Sequence, residues 1–389
     1  MLLPQPPART FRSAHLLAFL LVSILLLLTG CSMSTSTTSQ ASAAGFVFVT
    51  NSGSGTVSAF AMSSTGSLSP AGMPFPAGAG AEFMAFDPVH KLLFVSNQQA
   101  NTVSAFSINT STGALAVVAG SPFVTGARPT GIAVDAMGRF VFVANQAANT
   151  ISAFSIGANG LLSPVLGSPF TTGNPFGLAV SPAGTLLFAN NFPDSMVSDL
   201  NTVSAFQIGA NGALSAVPGS PFATANSAGF ASAIGLTIDP TGKFLFVADH
   251  MAQTIVPFSI ASTGALTSVA ALPAPAPSCS VSCHNNPLRL TVHPNDRFVY
   301  ATNVQAGTVT AFSIANGALS PIGDVATGAH PFGVALDPSG QFLFVVNKVD
   351  NSISASTVNS STGMVTPISG SPFSGTLNAP TDIVVIAKQ

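Results

Sequence analysis

Apolar and polar positions recur along this chain in short blocks that repeat about every 50 residues. One clear copy runs over residues 128–170 and contains four strand-like segments: PTGIAVD, FVFVAN, TISAFSI and LLSPVLGSPF. Turn-forming residues separate these segments, at AMGR, QAAN and GANG. Short apolar segments divided by Gly, Asn and Asp predict four β-strands joined by tight turns.

The second segment of the repeat occurs seven times, and it counts the repeats. Its copies end at Asn51, Asn97, Asn145, Asn191, Asp249, Asn303 and Asn347. The copies are apolar without alternation, which is expected for a strand covered on both faces. The sequence therefore predicts an all-β fold, a seven-bladed β-propeller of four-stranded antiparallel blades.

The first repeat begins at its second segment, GFVFVTN, and so lacks an innermost strand. A segment with the missing pattern, APTDIVVI, stands near the other end of the chain. We therefore expect the first blade to be closed by the C-terminal strand 379–386, which leaves no free sheet edge around the ring. The propeller is predicted to occupy residues 45–389.

The start of the chain has the pattern of a targeting segment. Arg9 and Arg12 precede an apolar run at residues 16–28, which is shorter than the ~20 residues that a membrane-spanning helix needs. The run fits the core of a signal peptide spanning residues 1–30. It ends in LTGC, which resembles the lipobox of bacterial lipoproteins and implies cleavage before Cys31 and lipidation of its thiol. The alternative is an uncleaved helical anchor.

Residues 31–44 are rich in Ser and Thr and predict a flexible tether. These features together predict an exported protein, lipid-anchored in the bacterial cell envelope at the outer membrane or cell surface. Cys279 and Cys283 are expected to form a disulfide in that oxidising compartment. A metal or haem site is the alternative, but the Cys-x-x-x-Cys-His spacing is one residue longer than the haem-attachment motif.

Charge excludes one class of partner. Only 6% of the residues are charged and the net charge is −2, so the chain has no basic stripe with which to bind nucleic acid. No cofactor is expected, and the protein is expected to be a monomer.

The repeat consensus P-x-G-(I/V)-A-(V/L)-D-x-x-G-x-(F/L)-(V/L)-(F/Y)-V-x-N, followed by NT(V/I)SAF, resembles the YVTN-type propellers of the lactonase family, related to bacterial 6-phosphogluconolactonase. The resemblance covers residues 45–389. It implies a seven-bladed propeller and a metal-independent hydrolysis of a sugar or other lactone. Because the matching residues belong to strands and turns, they specify the fold and assign no catalytic group.

Residues that recur in every blade are expected to be structural. The Asn residues that end the second segments are predicted to hydrogen-bond their own backbone, and Asp87, Asp135, Asp239 and Asp337 are predicted to start equivalent turns. Function is expected where a blade departs from the others. The long departures, residues 190–201, 223–233 and 268–287, fall on one face of the predicted propeller, which is therefore the expected working face.

The third residue of the first strand shows a second departure. It is glycine at Gly131, Gly177, Gly235 and Gly333, but the aligned residues elsewhere are Phe83, Arg289 and Asp382. Glu82, Arg128 and His330 lie beside this position in other blades. The alignment predicts that Arg289, Asp382, Glu82, Arg128 and His330 converge on one mouth of the central channel.

Lactone hydrolysis needs a base that activates water and a cation beside the developing oxyanion. His330 is the predicted base, oriented by Asp382 or Glu82, and Arg289 and Arg128 are predicted to polarise the carbonyl. The alternative for these groups is a structural Arg289–Asp382 pair with solvated His330 and Arg128. The alternative for the protein is a non-catalytic surface propeller that binds a glycan, peptide or protein through residues 190–201 and 268–287.

Overall fold

The computed structural model describes residues 43–192, 202–224, 233–250, 252–269 and 286–389. The predicted signal peptide, Cys31, the Cys279–Cys283 pair and most of the three long departures lie outside these residues. Within the described part of the chain, no helix has the length and apolar character needed to cross a membrane.

The described residues form seven antiparallel sheets, as the repeats predict. Blade one contains β1 (Gly45–Asn51), β2 (Thr56–Met62), β3 (Leu68–Pro70) and β4 (Phe75–Pro76). Blade two contains β5 (Ala81–Asp87), β6 (Leu92–Asn97), β7 (Thr102–Ile108), β8 (Leu115–Val117) and β9 (Phe123–Val124). Blade three contains β10 (Pro129–Val134), β11 (Phe140–Asn145), β12 (Thr150–Ile156), β13 (Leu162–Pro164) and β14 (Phe170–Thr171).

The remaining blades repeat this order. Blade four contains β15 (Pro175–Val180), β16 (Leu186–Asn191), β17 (Thr202–Ile208), β18 (Leu214–Ala216) and β19 (Phe222–Ala223). Blade five contains β20 (Ala233–Ile238), β21 (Phe244–Asp249), β22 (Thr254–Ile260) and β23 (Leu266–Ser268). Blade six contains β24 (Pro287–Val292), β25 (Phe298–Asn303), β26 (Thr308–Ala315) and β27 (Ala318–Ala326). Blade seven contains β28 (Pro331–Leu336), β29 (Phe342–Asn347), β30 (Ser352–Val358), β31 (Val365–Pro367) and β32 (Phe373–Ser374), and the chain ends with β33 (Pro380–Ala387).

The C-terminal strand closes the first blade, as predicted. β33 pairs antiparallel with β1, placing Thr50 opposite Asp382 and Gly45 opposite Ala387. The strand starts and ends one residue later than predicted. Ala379 has a φ of 47°, in the left-handed region that a strand residue does not adopt, so the strand begins after it.

The direction of the strands defines two faces of the propeller. The loop face carries the connections from second to third strand and from each blade to the next. The turn face carries the tight turns that join first to second and third to fourth strands. Each first strand therefore runs down the central channel from the loop face to the turn face, so a residue's position in it gives its depth.

The core lies between the sheets and is built mainly from the second strands, whose residues are almost all buried. Each second strand places one fully buried aromatic ring between its neighbours: Phe48, Phe94, Phe142, Phe188, Phe246, Tyr300 and Phe344. Burying one such side chain stabilises the fold by about 1.5–3 kcal/mol before the loss of conformational entropy is counted. A sheet covered on both sides thus explains the unbroken apolar pattern.

The repeated polar residues are structural, although one predicted contact is wrong. The Asn145 side chain does not bond its own backbone. Its Nδ2 donates to Thr150 Oγ1 at 3.0 Å and Ser152 Oγ at 2.9 Å, and its Oδ1 accepts the Gly126 N–H at 3.1 Å. The amide thereby joins second strand, third strand and loop. The predicted turns are confirmed at Asp135, which accepts the Phe140 N–H at 2.9 Å.

Candidate functional site

Each first strand begins with an irregularity that brings its residues to the channel. In blade six the register against the second strand shifts between Pro287 and Leu290, and the other blades shift at the equivalent place. A bulge places two residues of one strand opposite one residue of its partner and changes the direction of their side chains. The third residues of the first strands, next to these shifts, are the ones found in the channel lining described below.

The glycines at the third position mark where neighbouring first strands approach each other. A Cβ added to Gly131 would lie 2.7 Å from the Gly177 Cα, and one added to Gly333 would lie 2.8 Å from the Asp382 Cα. Such distances are too short for a side chain, which explains the glycine in these blades. The predicted convergence of the chain near the axis is thus observed.

The third and fourth residues of the first strands enclose a cavity of about 150 Å³, here called the chamber. Its polar side chains are those of Arg289 and Asp382. The remaining lining residues are Phe83, Met84, Gly131, Ile132, Gly177, Leu178, Leu236, Leu290 and Val334. Two of the five predicted site residues therefore share one cavity.

The Arg289 guanidinium lies against three phenylalanine rings. Its Cζ is 4.1 Å from the ring centroid of Phe83, 5.6 Å from that of Phe176 and 5.8 Å from that of Phe332. We call these three rings and Arg289 the aromatic layer. The nearest of these distances is well inside the ~6 Å range of cation–π attraction. Desolvation by this packing lowers the pKa of Arg289, and the charges of Asp382 and Glu82 oppose the shift.

Much of the hydrogen-bonding capacity of Arg289 is unused. Nη1 donates to the Ile234 carbonyl at 3.5 Å, whereas Nε and Nη2 are buried and have no hydrogen-bond partner. The side chain is half-buried, because the rings surround it while part of its surface faces the chamber. A buried cation without a bonded anion is costly, so an acceptor in the chamber would be bound favourably.

The Asp382 carboxyl accepts a backbone hydrogen bond, and its pKa lies closer to neutral pH than that of a free carboxyl. Its Oδ2 accepts the Met84 N–H at 2.8 Å. Burial raises the pKa of Asp382 from 3.8 to about 6, although Arg289 and the Met84 and Ile383 amides act to lower it. Arg289 and Asp382 do not form an ion pair within 4.0 Å, so the predicted alternative of a direct structural pair is not what the structure contains.

Glu82 lies next to Phe83 in the first strand of blade two, one residue nearer the loop face. Burial raises the pKa of its carboxyl, and the positive charges of Lys348, Arg289 and Arg128 oppose that shift. Glu82 does not line the chamber. Its carboxyl is within electrostatic reach of these three cations, of which Lys348 and Arg128 occupy loop-face positions.

His330 and Arg128 lie on the exposed rim of the loop face. Both occupy the residue before the first strand and have positive φ, 54° for His330 and 55° for Arg128. Their carbonyl groups accept equivalent backbone bonds, from the Lys348 N–H at 2.9 Å and the Gln146 N–H at 3.0 Å. The same backbone conformation at Gly80 and Ala379 shows that this position is a repeated turn. His330 and Arg128 therefore do not line the chamber with Arg289 and Asp382.

Sequence reasoning missed four side chains at the loop-face end of the channel. Phe176 and Phe332 are second residues of their first strands, and Lys348 Nζ lies 4.8 Å from the Phe332 ring centroid. His250 is half-buried with no partner for Nδ1, and burial lowers its pKa while the Asn286 and Pro287 backbone opposes the shift. Lys348 and His250 each directly follow the residue that ends a second strand. Their position in the repeat could therefore have identified them from the sequence.

Hydroxyl groups hold the exceptional third residues. The Arg289 N–H donates to Thr302 Oγ1 at 3.1 Å, and that hydroxyl donates to the Phe332 carbonyl at 2.9 Å. The Asp382 N–H donates to Thr50 Oγ1 at 2.9 Å. Alanine or valine replaces this hydroxyl in the blades of Gly131, Gly235 and Gly333. In blade four Asn190 stands at this position and its Oδ1 accepts the Gly177 N–H at 2.8 Å, so a polar residue here holds the first strand whether or not a side chain enters the channel.

No group of three or more His, Cys, Asp and Glu side chains with the geometry of a metal site occurs among the described residues.

Comparison with protein families gives one match over most of the chain. The profile of the family described as "Lactonase, 7-bladed beta-propeller" matches residues 37–200 and 274–378. A curated 6-phosphogluconolactonase of Formosa agariphila is 45% identical over 67 residues, which are 16% of this chain and 19% of that protein. This match spans about a fifth of the relative's length, so the relative's activity does not transfer with it.

Solved structures share the fold at low sequence identity. A candidate 6-phosphogluconolactonase of Bacteroides uniformis has a TM-score of 0.73 and 20% identity, covering 88% of this chain and 99% of its own. The periplasmic gluconolactonase of Pseudomonas aeruginosa has a TM-score of 0.70 and 17% identity, covering 89% and 99%. At these identities the likeness establishes the architecture alone.

Proposed function

The chain belongs to the lactonase family of seven-bladed β-propellers, and from that premise we propose that it hydrolyses a lactone in the chamber between Arg289 and Asp382. The observation that carries the proposal is the pairing of two unlike groups in one cavity. Arg289 offers a cation with unused donors, and Asp382 offers a carboxylate whose pKa is raised to about 6.

The chemistry follows from these two groups. Arg289 attracts the carbonyl oxygen of the lactone and stabilises the negative charge that develops there. The Asp382 carboxylate takes a proton from a water molecule as the water oxygen bonds to the carbonyl carbon. When the tetrahedral intermediate collapses, the ring C–O bond breaks and Asp382 returns the proton to the alkoxide. The product is the open hydroxy acid, and no redox step is involved.

This assignment gives the role of base to Asp382 and not to His330. A base with a pKa near 6 is ionised at neutral pH yet remains basic enough to accept a proton, which suits general base catalysis. His330 is exposed on the rim, and its backbone conformation is that of a repeated turn. Glu82, Arg128 and Lys348 form the charged mouth above the aromatic layer.

We propose further that the substrate carries no phosphate. Arg289 is the only cation among the residues that line the chamber, whereas a phosphate dianion is usually held by clustered Arg and Lys.

The test is a hydrolysis assay of the purified protein with D-glucono-δ-lactone, its 6-phosphate and an unsubstituted δ-lactone. We expect turnover of the unphosphorylated lactones and loss of that turnover in Arg289→Met and Asp382→Asn. Turnover that survives both substitutions would remove the chamber as the site. Preference for the phosphorylated lactone would remove the proposed substrate class and leave the site standing.

A second candidate is non-catalytic binding, and the aromatic layer favours it. Three rings packed on Arg289 give the channel a rigid interior that needs no chemistry to explain it. This candidate predicts that the protein turns over no lactone and still binds a small anion or glycan, which calorimetry with gluconate would detect.

Location in the cell is likewise our proposal. The LTGC sequence before residue 32 supports lipidation at Cys31 and anchoring in the cell envelope. Labelling of cells with a clickable fatty acid is expected to mark the wild-type protein and not Cys31→Ser. Equal labelling of both would contradict the lipid anchor.

A further inference from the structure

We infer that ligands enter the chamber from the turn face of the propeller, because the aromatic layer closes the channel on the loop-face side. The inference rests on the proposed function in that it takes the Arg289–Asp382 chamber as the working site. It differs from the expectation, drawn from the sequence, that the face carrying the long departures is the working face.

Packed side chains lie across the channel on the loop-face side of the chamber. The Phe83 and Phe176 rings meet edge to face with centroids 5.7 Å apart, and the Arg289 guanidinium lies within 5.8 Å of all three rings of the aromatic layer. The Phe83 and Phe176 rings are in contact at this distance, and Arg289 joins them to the Phe332 ring, so we take this layer as the barrier to a ligand. These side chains come from blades two, four, six and seven, so they meet across the axis and not along one wall.

The lining of the chamber shows its depth in the channel. Its lining consists of third and fourth residues of the first strands, and none of the second residues takes part. Because the first strands run from the loop face to the turn face, the chamber lies on the turn-face side of Phe176, Phe332 and Glu82. Those three second residues are half-buried and stand one position nearer the loop face than the lining of the chamber.

On the turn-face side of the chamber, the first strands have partly exposed residues. The fifth residue of the first strand is partly exposed in all seven blades: Ala85, Ala133, Ala179, Thr237, Thr291, Ala335 and Val384. Most of these side chains are small, and residues two apart in a strand share a face, so third and fifth residues line the same channel. Water therefore reaches the chamber level from the turn face.

The charges agree with this division of the channel. Lys348 Nζ lies 4.8 Å from the Phe332 ring, and Glu82 is under the influence of Lys348 and Arg128 on the loop-face side. Asp382 and Arg289 both line the chamber, and Arg289 has two donors without a partner. The aromatic layer thus separates an exposed charged mouth from a secluded catalytic pair.

The experiment narrows each side of the channel in turn. Ala179→Phe adds a ring on the turn-face side, where Ala179 lies outside the packed clusters of the core. Gln98→Phe is the matched control on the loop face, at the position equivalent to Lys348. We expect Ala179→Phe to lower kcat/KM for the unphosphorylated lactone at least tenfold, with an unchanged melting temperature, and Gln98→Phe to change it less than twofold. The reverse result would overturn the inference.

Fluorescence quenching measures access to the channel without a substrate, so it separates failure of the route from failure of the proposed function. The chain contains no Trp, so Ala133→Trp supplies a single fluorophore at the fifth position. We expect acrylamide to quench it, addition of Ala179→Phe to reduce the quenching, and addition of Gln98→Phe to leave it unchanged. That pattern in a protein that turns over no lactone would reject the proposed function and keep the route. Quenching that responds only to Gln98→Phe would reject the route whether or not lactones are hydrolysed.

Discussion

Blades three, four, five and seven differ from blades one, two and six at one residue of the first strand. The first group has glycine there, because the neighbouring strand leaves no room for a Cβ. The second group presents Asp382, Phe83 and Arg289 to the channel. One position of the repeat is thus a closely packed glycine in four blades and carries a side chain in the other three, two of which hold the proposed catalytic groups Arg289 and Asp382. In a symmetric fold, the departures from the repeat identify the candidate site, whereas the repeated residues maintain the ring.

The largest expected effect comes from removing the exceptional pair. Arg289→Met keeps the length of the side chain against the rings and removes the cation. We expect kcat to fall by ~10²–10³-fold, the usual effect of losing one oxyanion-stabilising group. Asp382→Asn keeps the acceptor for the Met84 N–H, removes the base and is expected to cost a similar factor. Initial rates of lactone hydrolysis measure both.

Stability provides the control for Asp382→Asn. Burial raises the pKa of Asp382 from 3.8 to about 6, so the folded protein favours the protonated acid. The protein therefore loses stability as pH rises from about 4 to about 6, and the full penalty is present above about pH 6. Asparagine removes that penalty, and the variant is expected to melt no lower than the wild type at pH 8. A lower melting temperature would show that Asp382 is mainly structural.

The next largest effect is expected when a side chain replaces the glycine at the third position of a first strand. Gly131→Val places a Cβ 2.5 Å from the Phe176 carbonyl oxygen, and the neighbouring strand has to move. We expect the free energy of unfolding to fall by ~1–3 kcal/mol, the usual cost of overpacking. Gly72→Val is not a suitable control. No atom lies within 4 Å of an added Cβ, but the φ of Gly72 is 98°, where valine would be strained. Gly323→Val, also with open space around it, is the matched control and is expected to have little effect.

The repeated asparagines are expected to matter for stability alone. Asn145→Ala removes two hydrogen bonds to Thr150 and Ser152 and one from the Gly126 N–H. Leaving buried partners unsatisfied costs about 1–3 kcal/mol, so the denaturant midpoint is expected to fall. The kcat of the folded variant is expected to stay within twofold. A selective loss of kcat would contradict the division between repeated and exceptional residues.

The smallest effects are expected at the rim. His330→Ala and Arg128→Ala alter exposed side chains, while their functions in the turn are carried by backbone groups. Alanine tolerates their positive φ less well than glycine does, so His330→Gly and Arg128→Gly are the better variants for stability. We expect less than a threefold change in kcat/KM for each variant. A loss of more than tenfold for His330→Gly would restore His330 as the base.

The fold could be predicted from the sequence because its signals are local and repeated seven times. Second strands such as FVFVAN, turns such as AMGR and the missing strand of the first repeat together require a closed ring of seven blades. Asp382 and Arg289 could be found for the same reason, since each interrupts a pattern that glycine sets.

Other parts of the site depend on distances that a repeat does not encode. Phe176 and Phe332 look like ordinary apolar strand residues, and only the packing across the axis brings them to Arg289. Like Arg128, His330 directly precedes the proline that starts a first strand. Its positive φ places it in the turn at the exposed rim of the loop face. Asn145 was predicted to bond its own backbone, but its amide reaches the neighbouring strand because the third strand lies within reach of the second.

The most direct test of the central claim is the pH dependence of kcat/KM for the unphosphorylated lactone, corrected for spontaneous hydrolysis. If the Asp382 carboxylate is the base, kcat/KM rises tenfold per pH unit up to about 6 and is level above it. We expect the same inflection in His330→Gly and no inflection in the residual activity of Asp382→Asn. An inflection near 6 that remains in Asp382→Asn and disappears in His330→Gly would contradict the account.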